Sequence, residues 1–344
     1  MLTHVLSRTS NALVALKKRF SAKALILAYH RVLEVENDPW SMCVSESNFE
    51  QHLAVLRRRF KPTSLYELSQ SHRRGHPPRG AVVLTFDDGY ADNLTAAAPI
   101  LESFETPATV FITTGQVGTE TEFWWDELER ALLGPERLPG TLNLTINGER
   151  CSWRLDAARE YAPEKRQRDR SYKAWESEPG TRLHFYYTVW DHLRRVSPAV
   201  RRGLQDEILE WSQTDSTPRP DHRALTLEEL KSLGRHPLIE IGAHTVSHPF
   251  LPQYSAEEQR AEMNDSKQYL EDLLGAPIRS FAYPHGEYAE ETVRLVSSAG
   301  FDTACALTDQ AVWKKSDRLR FPRCSIENWD GKQFEERLRN WLDS

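Results

Sequence analysis

Short apolar runs alternate along the chain with stretches in which apolar residues recur every three or four positions. The runs predict β-strands over residues 24–30, 81–86, 108–112, 238–241, 279–283 and 301–307. The periodic stretches predict helices over residues 46–59, 92–104, 226–233, 255–274 and 288–298. Strands that alternate with helices predict a mostly parallel sheet with helices outside it, in either a barrel or a doubly wound α/β fold. In both folds, the loops at the carboxyl ends of the strands carry the chemistry.

The alternation is interrupted between residues 118 and 223, where the chain is charged and rich in tryptophan. Within this region, Asn147-Gly148 separates two short stretches, 142–146 and 150–155, and an Asn-Gly pair suits the type I′ turn of a two-stranded hairpin. We interpret 118–223 as an inserted subdomain of mixed α/β structure, and 24–117 with 224–344 as the domain around it.

The composition is that of a globular protein, because 39% of the 344 residues are apolar and 27% are charged. The net charge of −6 argues against nucleic acid as a partner, since nucleic acid usually requires a basic face. The four cysteines are scattered, with no CxxC spacing, so we expect neither a thiolate zinc site nor an oxidising compartment.

Residues 1–23 form an N-terminal segment that is both apolar and basic. Its apolar residues precede its basic ones and no small-residue cleavage site is evident, which argues against a secretory signal. We therefore predict a cytoplasmic protein. Two interpretations of the segment stay open: a basic amphipathic helix that contacts the inner face of the membrane, or a helix that packs or frays.

Acidic and histidine side chains collect where predicted strands end. The groups are Asp87 and Asp88 in the sequence TFDDGY, His244 and His248 after the strand at 238–241, and His30 at the end of the first strand. If the strands are parallel, all of these groups meet at one rim of the sheet.

Two imidazoles and one carboxylate make a three-ligand metal site with open positions for water and substrate. One aspartate can then bind the cation while its neighbour stays free as a base, because successive side chains at a strand end point in different directions. The cation also offsets the repulsion between the two carboxylates. The alternative interpretation is structural: an Asp-Gly turn whose aspartates cap the next helix, and two unconnected histidines.

Taken together, these stretches resemble the motifs of the polysaccharide deacetylases, the NodB-homology group of carbohydrate esterases. The family's TFDDG motif stands at 85–89, its His-x-x-x-His motif at 244–248, and FAYPHG at 281–286 resembles its third motif. The resemblance implies a distorted (β/α) barrel of the seven-stranded type that binds one divalent metal ion, most often zinc.

By the same resemblance, Asp87 is the general base, and Asp88, His244 and His248 are the metal ligands. The implied reaction is hydrolysis of an N-acetyl group on an amino sugar. In that reaction a metal-bound water attacks the acetyl carbonyl, and an acid protonates the departing amine.

The sequence departs from the family pattern in two places. The arginine that orients the base in many members is replaced in the third motif by Ala282 or Phe281, and Arg279 lies too early. The C-terminal leucine-x-histidine motif, which supplies the acid, is also missing. An apolar strand that ends in Tyr29-His30 before TFDDG resembles the circularly permuted members, so His30 is the predicted general acid. The alternative is that His30 is a core residue whose ring makes hydrogen bonds within the protein.

Aromatic residues near the motifs are candidate sugar contacts. Tyr90, Tyr283 and Pro284 are the predicted substrate-binding residues, because a tyrosine ring can stack on a sugar face and the residue before a proline is held extended. Trp124 and Trp125 are further candidates, although aromatic residues serve more often in the core.

The expected function is metal-dependent N-deacetylation of an amino sugar in a glycan or in a nucleotide- or lipid-linked precursor. One alternative is an O-acetyl esterase or non-sugar amidase with the same metal site. Another is a catalytically weak glycan-binding protein that has lost its orienting arginine. The expected partner is a carbohydrate, and the sequence assigns no oligomeric state. A measurement of metal content would distinguish the binding-protein alternative from the two enzyme alternatives.

Overall fold

The computed structural model describes residues 23–75 and 79–343. The predicted N-terminal segment, 1–23, therefore lies outside the described residues, except for Lys23, which begins the first strand. Within the described ranges, no helix combines the length and the apolar character that crossing a membrane requires.

Seven parallel strands close into a barrel in which each strand pairs with the next along the chain and the last pairs with the first. The strands are β1 (Lys23–Tyr29), β2 (Ala81–Phe86), β3 (Ala108–Ile112), β4 (Ile239–Ala243), β5 (Ser280–Ala282), β6 (Thr303–Leu307) and β7 (Phe321–Ser325). The predicted barrel is confirmed, and the doubly wound alternative is excluded.

The pairing around the barrel is uneven, which distorts it. Strands β1 and β2 pair from Leu25 to Tyr29, whereas β4 and β5 pair only at Ala243 and Phe281. All six residues of β2 are buried, as expected for a strand covered on both faces. Short strands flank the barrel: Lys61–Pro62 pairs with β2 and Val312–Trp313 with β1, while Arg31–Val32 and Cys43–Val44 pair with each other.

Helices cover the outside of the barrel and also occur within the region 118–223. They are α1 (Glu46–Arg59), α2 (Leu65–Arg73), α3 (Ala98–Ser103), α4 (Trp124–Leu133), α5 (Pro163–Asp169), α6 (Arg182–Leu193), α7 (Pro198–Ser212), α8 (Leu227–Gly234), α9 (Ala256–Leu274), α10 (Glu290–Ser298) and α11 (Gly331–Asp343). Three helices, α2, α8 and α9, begin at capping boxes, where Ser64, Thr226 and Ser255 each pair with a glutamate three residues on. The first residues of these three helices are therefore determined by the sequence next to them.

Strand β7 and helix α11 are absent from the sequence-based prediction, which is a correction to it. The strand reads FPRCS, and its proline and arginine break the apolar pattern that marks the other strands. Arg323 is nevertheless completely buried. A strand whose central side chain is a buried cation cannot be recognised by hydrophobic periodicity.

The region 118–223 lies between β3 and α8, so it leaves and rejoins the barrel at the carboxyl ends of the strands. It contains α4 to α7 and the predicted hairpin, whose strands are Thr141–Ile146 and Glu149–Arg154. The backbone φ angles of Asn147 and Gly148 are 51° and 85°, as a type I′ turn requires, so the hairpin prediction is confirmed. Side chains of α4, α6, α7 and the hairpin form an apolar cluster, which also includes Tyr90 and Ala224 from outside the region.

Candidate metal and catalytic site

Asp87 and Asp88 follow β2 directly and face different partners because the backbone turns sharply at this point. The backbone N–H of Asp87 still donates to the carbonyl of Tyr29 at 3.0 Å, which extends the pairing of β1 and β2. Asp88 and Gly89 then adopt left-handed φ angles of 73° and 86°. A Cβ atom at position 89 would lie 2.9 Å from the side chain of Ile112, so glycine suits both the angle and the space.

Asp88 points towards His244 and His248. Its Oδ1 atom lies 3.6 Å from Nε2 of His244 and 3.5 Å from Nε2 of His248. One ligand atom from each of the three residues lies within 4.8 Å of the others, and all three side chains are buried. The structure therefore brings together the three predicted metal ligands.

The two histidines are held by the loop that follows β4. The ring Nδ1 of His244 lies 2.8 Å from the carbonyl of Ala282, which leaves Nε2 free to face Asp88. His248 has a left-handed φ of 53°, and its N–H donates to the hydroxyl of Thr245 at 3.1 Å. Glu262 on α9 accepts from the backbone N–H groups of residues 246 and 247 at 2.8 and 2.9 Å, which fixes the loop.

The donor set fits a divalent cation. Oδ1 of Asp88 is buried and has no hydrogen-bond partner in the structure. Burial raises the pKa of Asp88 well above its usual range, and the nearby charges of Asp87 and Asp126 raise it further. Burial also lowers the pKa values of His244 and His248, so both imidazoles are neutral, which is the form that binds metal. Two neutral imidazoles and one carboxylate match a catalytic zinc site.

Asp87 is held by Arg323, a residue that the sequence analysis missed. The guanidinium Nη1 and Nη2 donate to Oδ1 and Oδ2 of Asp87 at 2.6 and 2.7 Å, and Nη1 also donates to the hydroxyl of Thr85 at 3.0 Å. The third motif indeed lacks the arginine, as the sequence indicated, but a different part of the chain supplies one. The arginine comes instead from β7, which closes the barrel against β1 beside β2.

This ion pair sets the charge of Asp87. Burial by itself raises the pKa of a carboxyl group, but the charge of Arg323 and its hydrogen bonds lower the pKa of Asp87 to about 2. Asp87 is thus a carboxylate at neutral pH. A carboxylate has about four lone-pair positions, so the bidentate contact leaves some free to accept a further proton donor.

His30 lies at the end of β1 and lines the same cavity as Asp87, Asp88 and the two ligand histidines. Burial lowers the pKa of His30 to about 4, against the opposing effect of the Asp87 charge, so the ring is neutral at pH 7. Its backbone carbonyl accepts from the side chain of Asn93 at 2.8 Å, which fixes the end of the strand.

The three residues that were predicted to contact substrate, Tyr90, Tyr283 and Pro284, do not line this cavity, so that prediction was wrong. Tyr90 and Tyr283 are 0% exposed, and Pro284 is buried. The hydroxyl of Tyr90 donates to Asp126 at 2.7 Å, and that of Tyr283 donates to the carbonyl of Leu319 at 2.8 Å. Both hydroxyl groups are therefore used inside the protein.

Other aromatic residues line the cavity instead. They are Trp40, Trp125, Trp175, Trp190 and His285. Trp125 was a candidate from sequence, whereas Trp124 does not line the cavity. The tryptophan-rich composition of the region 118–223 was the available signal, but which of its rings face the site depends on tertiary packing.

Comparisons with known proteins agree with this geometry. A sequence model of the polysaccharide deacetylase family matches residues 74–134 and 212–304. These residues include Asp87, Asp88, His244 and His248, but neither His30 nor Arg323. The poly-β-1,6-N-acetyl-D-glucosamine N-deacetylase of Escherichia coli K12 is 34% identical over 119 residues, which is 31% of this chain and 18% of that protein. The chain thus spans about a fifth of the length of that relative.

Solved structures show the same fold over nearly the whole chain. The Streptococcus pyogenes deacetylase PplD, in complex with acetate, is 18% identical, covers 94% of this chain and 99% of its own, and has a TM-score of 0.57. IcaB from Ammonifex degensii is 18% identical, with 94% and 98% coverage and a TM-score of 0.56. The family model matches less than half of the chain, but the matched residues contain both motifs, so the chain is similar to the polysaccharide deacetylases in sequence and shares the fold of the solved deacetylases.

Proposed function

We propose that this chain is a metal-dependent hydrolase that removes an N-acetyl group from an amino sugar in a glycan or glycan precursor. The observation that carries the proposal is one cavity in which the buried side chains of Asp88, His244 and His248 converge beside a carboxylate, Asp87, that an arginine contacts. The matched relative from Escherichia coli, named as an N-deacetylase of an acetylglucosamine polymer, supports the choice of an amide on an amino sugar.

Asp88, His244 and His248 would hold the cation, for which we propose zinc. A bound divalent ion would polarise the acetyl carbonyl and lower the pKa of a water molecule towards about 7. Asp87 accepts a proton from the attacking water at a carboxylate oxygen, while Arg323 keeps that carboxylate ionised and aligned. The carbonyl carbon gains a bond to oxygen, its bond to nitrogen breaks, and acetate and a free amine result.

His30 is proposed as the group that protonates the departing amine. The side chain lies at the end of β1, next to Asp87, and its low pKa means that it rests without a proton. It must therefore gain a proton during the reaction, and the proton that Asp87 takes from water is the available source. The two residues thus form a base and an acid that act in sequence.

The presence of Arg323 weakens the binding-protein alternative, which rested on a lost arginine. A module that only binds glycan has no use for a fully buried guanidinium paired with a carboxylate beside three side chains that can bind a metal ion. The cytoplasmic location, and contact of residues 1–23 with the membrane, remain predictions that cell fractionation of a tagged chain would test.

The first experiment measures metal content by elemental analysis, together with acetate release from acetylated amino sugars. We expect about one divalent ion per chain, lost in Asp88→Ala and His244→Ala, and retained in the control His192→Ala, which changes an exposed histidine in the insert. Absence of metal even after reconstitution would refute the metal site. Metal with acetate released only from O-acetyl esters would refute the amide substrate and favour the esterase.

A further inference from the structure

The two histidines that are proposed to bind the metal ion are held in different ways. Nδ1 of His244 lies 2.8 Å from the carbonyl of Ala282. Nδ1 of His248 is buried and has no hydrogen-bond partner among the described residues. A metal-binding histidine almost always donates its second ring N–H to an oxygen atom, which fixes the orientation of the ring. Since His248 lacks such a contact, the rings packed around it must fix its orientation.

Three aromatic side chains pack against His248. The ring centres of His244, His285 and Trp125 lie 4.9, 4.6 and 4.9 Å from that of His248. Trp125 has the largest ring of the three, and it is only 4% exposed. It comes from the region 118–223, where it stands in the first turn of α4. A residue of this region therefore contacts a proposed metal ligand of the barrel.

The indole ring of Trp125 is itself fixed. Its Nε1–H donates to the hydroxyl of Tyr90 at 2.8 Å, and that hydroxyl donates to Asp126 at 2.7 Å. The guanidinium of Arg31 lies 4.3 Å from the ring centre of Tyr90, and the ring of Phe123 lies 4.5 Å from it. Rotation of the indole would leave its buried N–H without an acceptor, which is costly inside a protein. The hydrogen bond therefore keeps the indole against His248.

Trp125 thereby connects the two loops that carry the metal ligands. Its ring contacts His248 in the loop after β4, and its hydrogen bond reaches Tyr90, which lies two residues after Asp88. Oδ1 of Asp88 and Nε2 of His248 are 3.5 Å apart. A displacement of either loop would change this spacing, and a metal ion requires donor atoms at defined distances.

We propose that Trp125 is a positioning residue for the metal site. Its ring sets the orientation of His248, and its hydrogen bond to Tyr90 ties that ring to the loop that carries Asp88. This inference rests on the proposed metal-dependent function and deepens it. It gives the region 118–223 a part in holding the metal ion.

The test measures the Kd of zinc by competition with a coloured chelator. In Trp125→Leu, which removes the ring but keeps an apolar side chain, the Kd should rise by about 10- to 100-fold, the usual effect of losing a residue that orients a metal ligand. Trp125→Phe retains an aromatic ring and should show a smaller rise. An unchanged Kd in Trp125→Leu would overturn the proposal, and a raised KM alone would instead make Trp125 a substrate contact.

Trp124→Leu is the matched control. Trp124 is the neighbour of Trp125 on α4 and is 7% exposed, but it does not line the cavity, and its ring packs on Trp190 and Arg201. Both leucine variants remove a buried indole, so the Tm of the zinc-free protein should fall in both. The Kd of zinc should rise only in Trp125→Leu. An equal rise in both would show a general loosening of α4 and would overturn the assigned role.

Tyr90→Phe is the deciding variant if Trp125→Leu does not fold, because it removes a single oxygen atom. The indole then loses its acceptor, so the Kd of zinc should rise, by less than in Trp125→Leu. An unchanged Kd in Tyr90→Phe would overturn the proposed link between the two loops. The two proposals fail differently. A native chain that binds no zinc would refute the metal site, whereas native zinc binding with an equal Kd in both variants would refute only the role of Trp125.

Discussion

Replacement of Arg323 by methionine tests the idea that one buried ion pair orients the catalytic base. The guanidinium makes two contacts with Asp87, at 2.6 and 2.7 Å, and 0% and 3% of the two side chains are exposed. Methionine fills a similar space but leaves the carboxylate unpaired. Removing one partner of a buried ion pair costs about 3–5 kcal/mol, so we expect Arg323→Met to lose about that much free energy of unfolding.

The same change should lower turnover more than substrate binding. Arg323 does not line the cavity, so KM should change little, whereas a base displaced by about 1 Å costs about 10²-fold in kcat. Urea denaturation measures the stability, and acetate release measures the rate. The control Arg320→Met removes a nearby arginine whose partners, Glu290 and Asp317, are 73% and 51% exposed, and such surface pairs contribute only about 0–1 kcal/mol each.

A double variant makes the reasoning refutable. Asp87→Asn removes the charge that Arg323 compensates, so Asp87→Asn/Arg323→Met should be more stable than the sum of the single losses predicts. Contacting residues typically show interaction free energies of about 0.5–3 kcal/mol in such a cycle. Strict additivity, or an Arg323→Met variant with native stability and native kcat, would show that the ion pair does not have the assigned role.

Three further predictions concern the same site. Zinc at about a thousandfold excess over its Kd should raise the free energy of unfolding by about 4 kcal/mol and therefore raise Tm. In Asp88→Asn this rise in Tm should vanish. An equal rise in that variant would show that zinc binds elsewhere. His30→Ala should retain the metal and lower kcat by about 10²–10⁴-fold, and full turnover would remove His30 from the acid role. Tyr283→Phe removes the hydrogen bond to the Leu319 carbonyl and should lower the free energy of unfolding by about 1–3 kcal/mol. KM should stay unchanged. A raised KM would instead show that Tyr283 contacts the substrate.

Much of the fold and the metal ligands could be predicted because their signals are local. Strand β2 is a run of buried residues that ends in Asp87 and Asp88, and the capping boxes of α2, α8 and α9 are visible within four residues. Arg323 could not be assigned, because its partner is 236 residues away and its own strand lacks an apolar pattern. Likewise, whether a tyrosine stacks on a sugar or donates to a buried carbonyl depends on packing that short patterns do not encode.

The sequential order of the barrel strands has a consequence for synthesis. A nascent chain that has reached β6 already contains Asp88, His244 and His248, but neither Arg323 nor the strand that joins β6 to β1. The base can acquire its guanidinium only when β7 emerges and the ring of strands closes. The metal ligands are therefore synthesised before the residue that aligns the base, and a chain that ends before β7 has Asp87 without the guanidinium that contacts it.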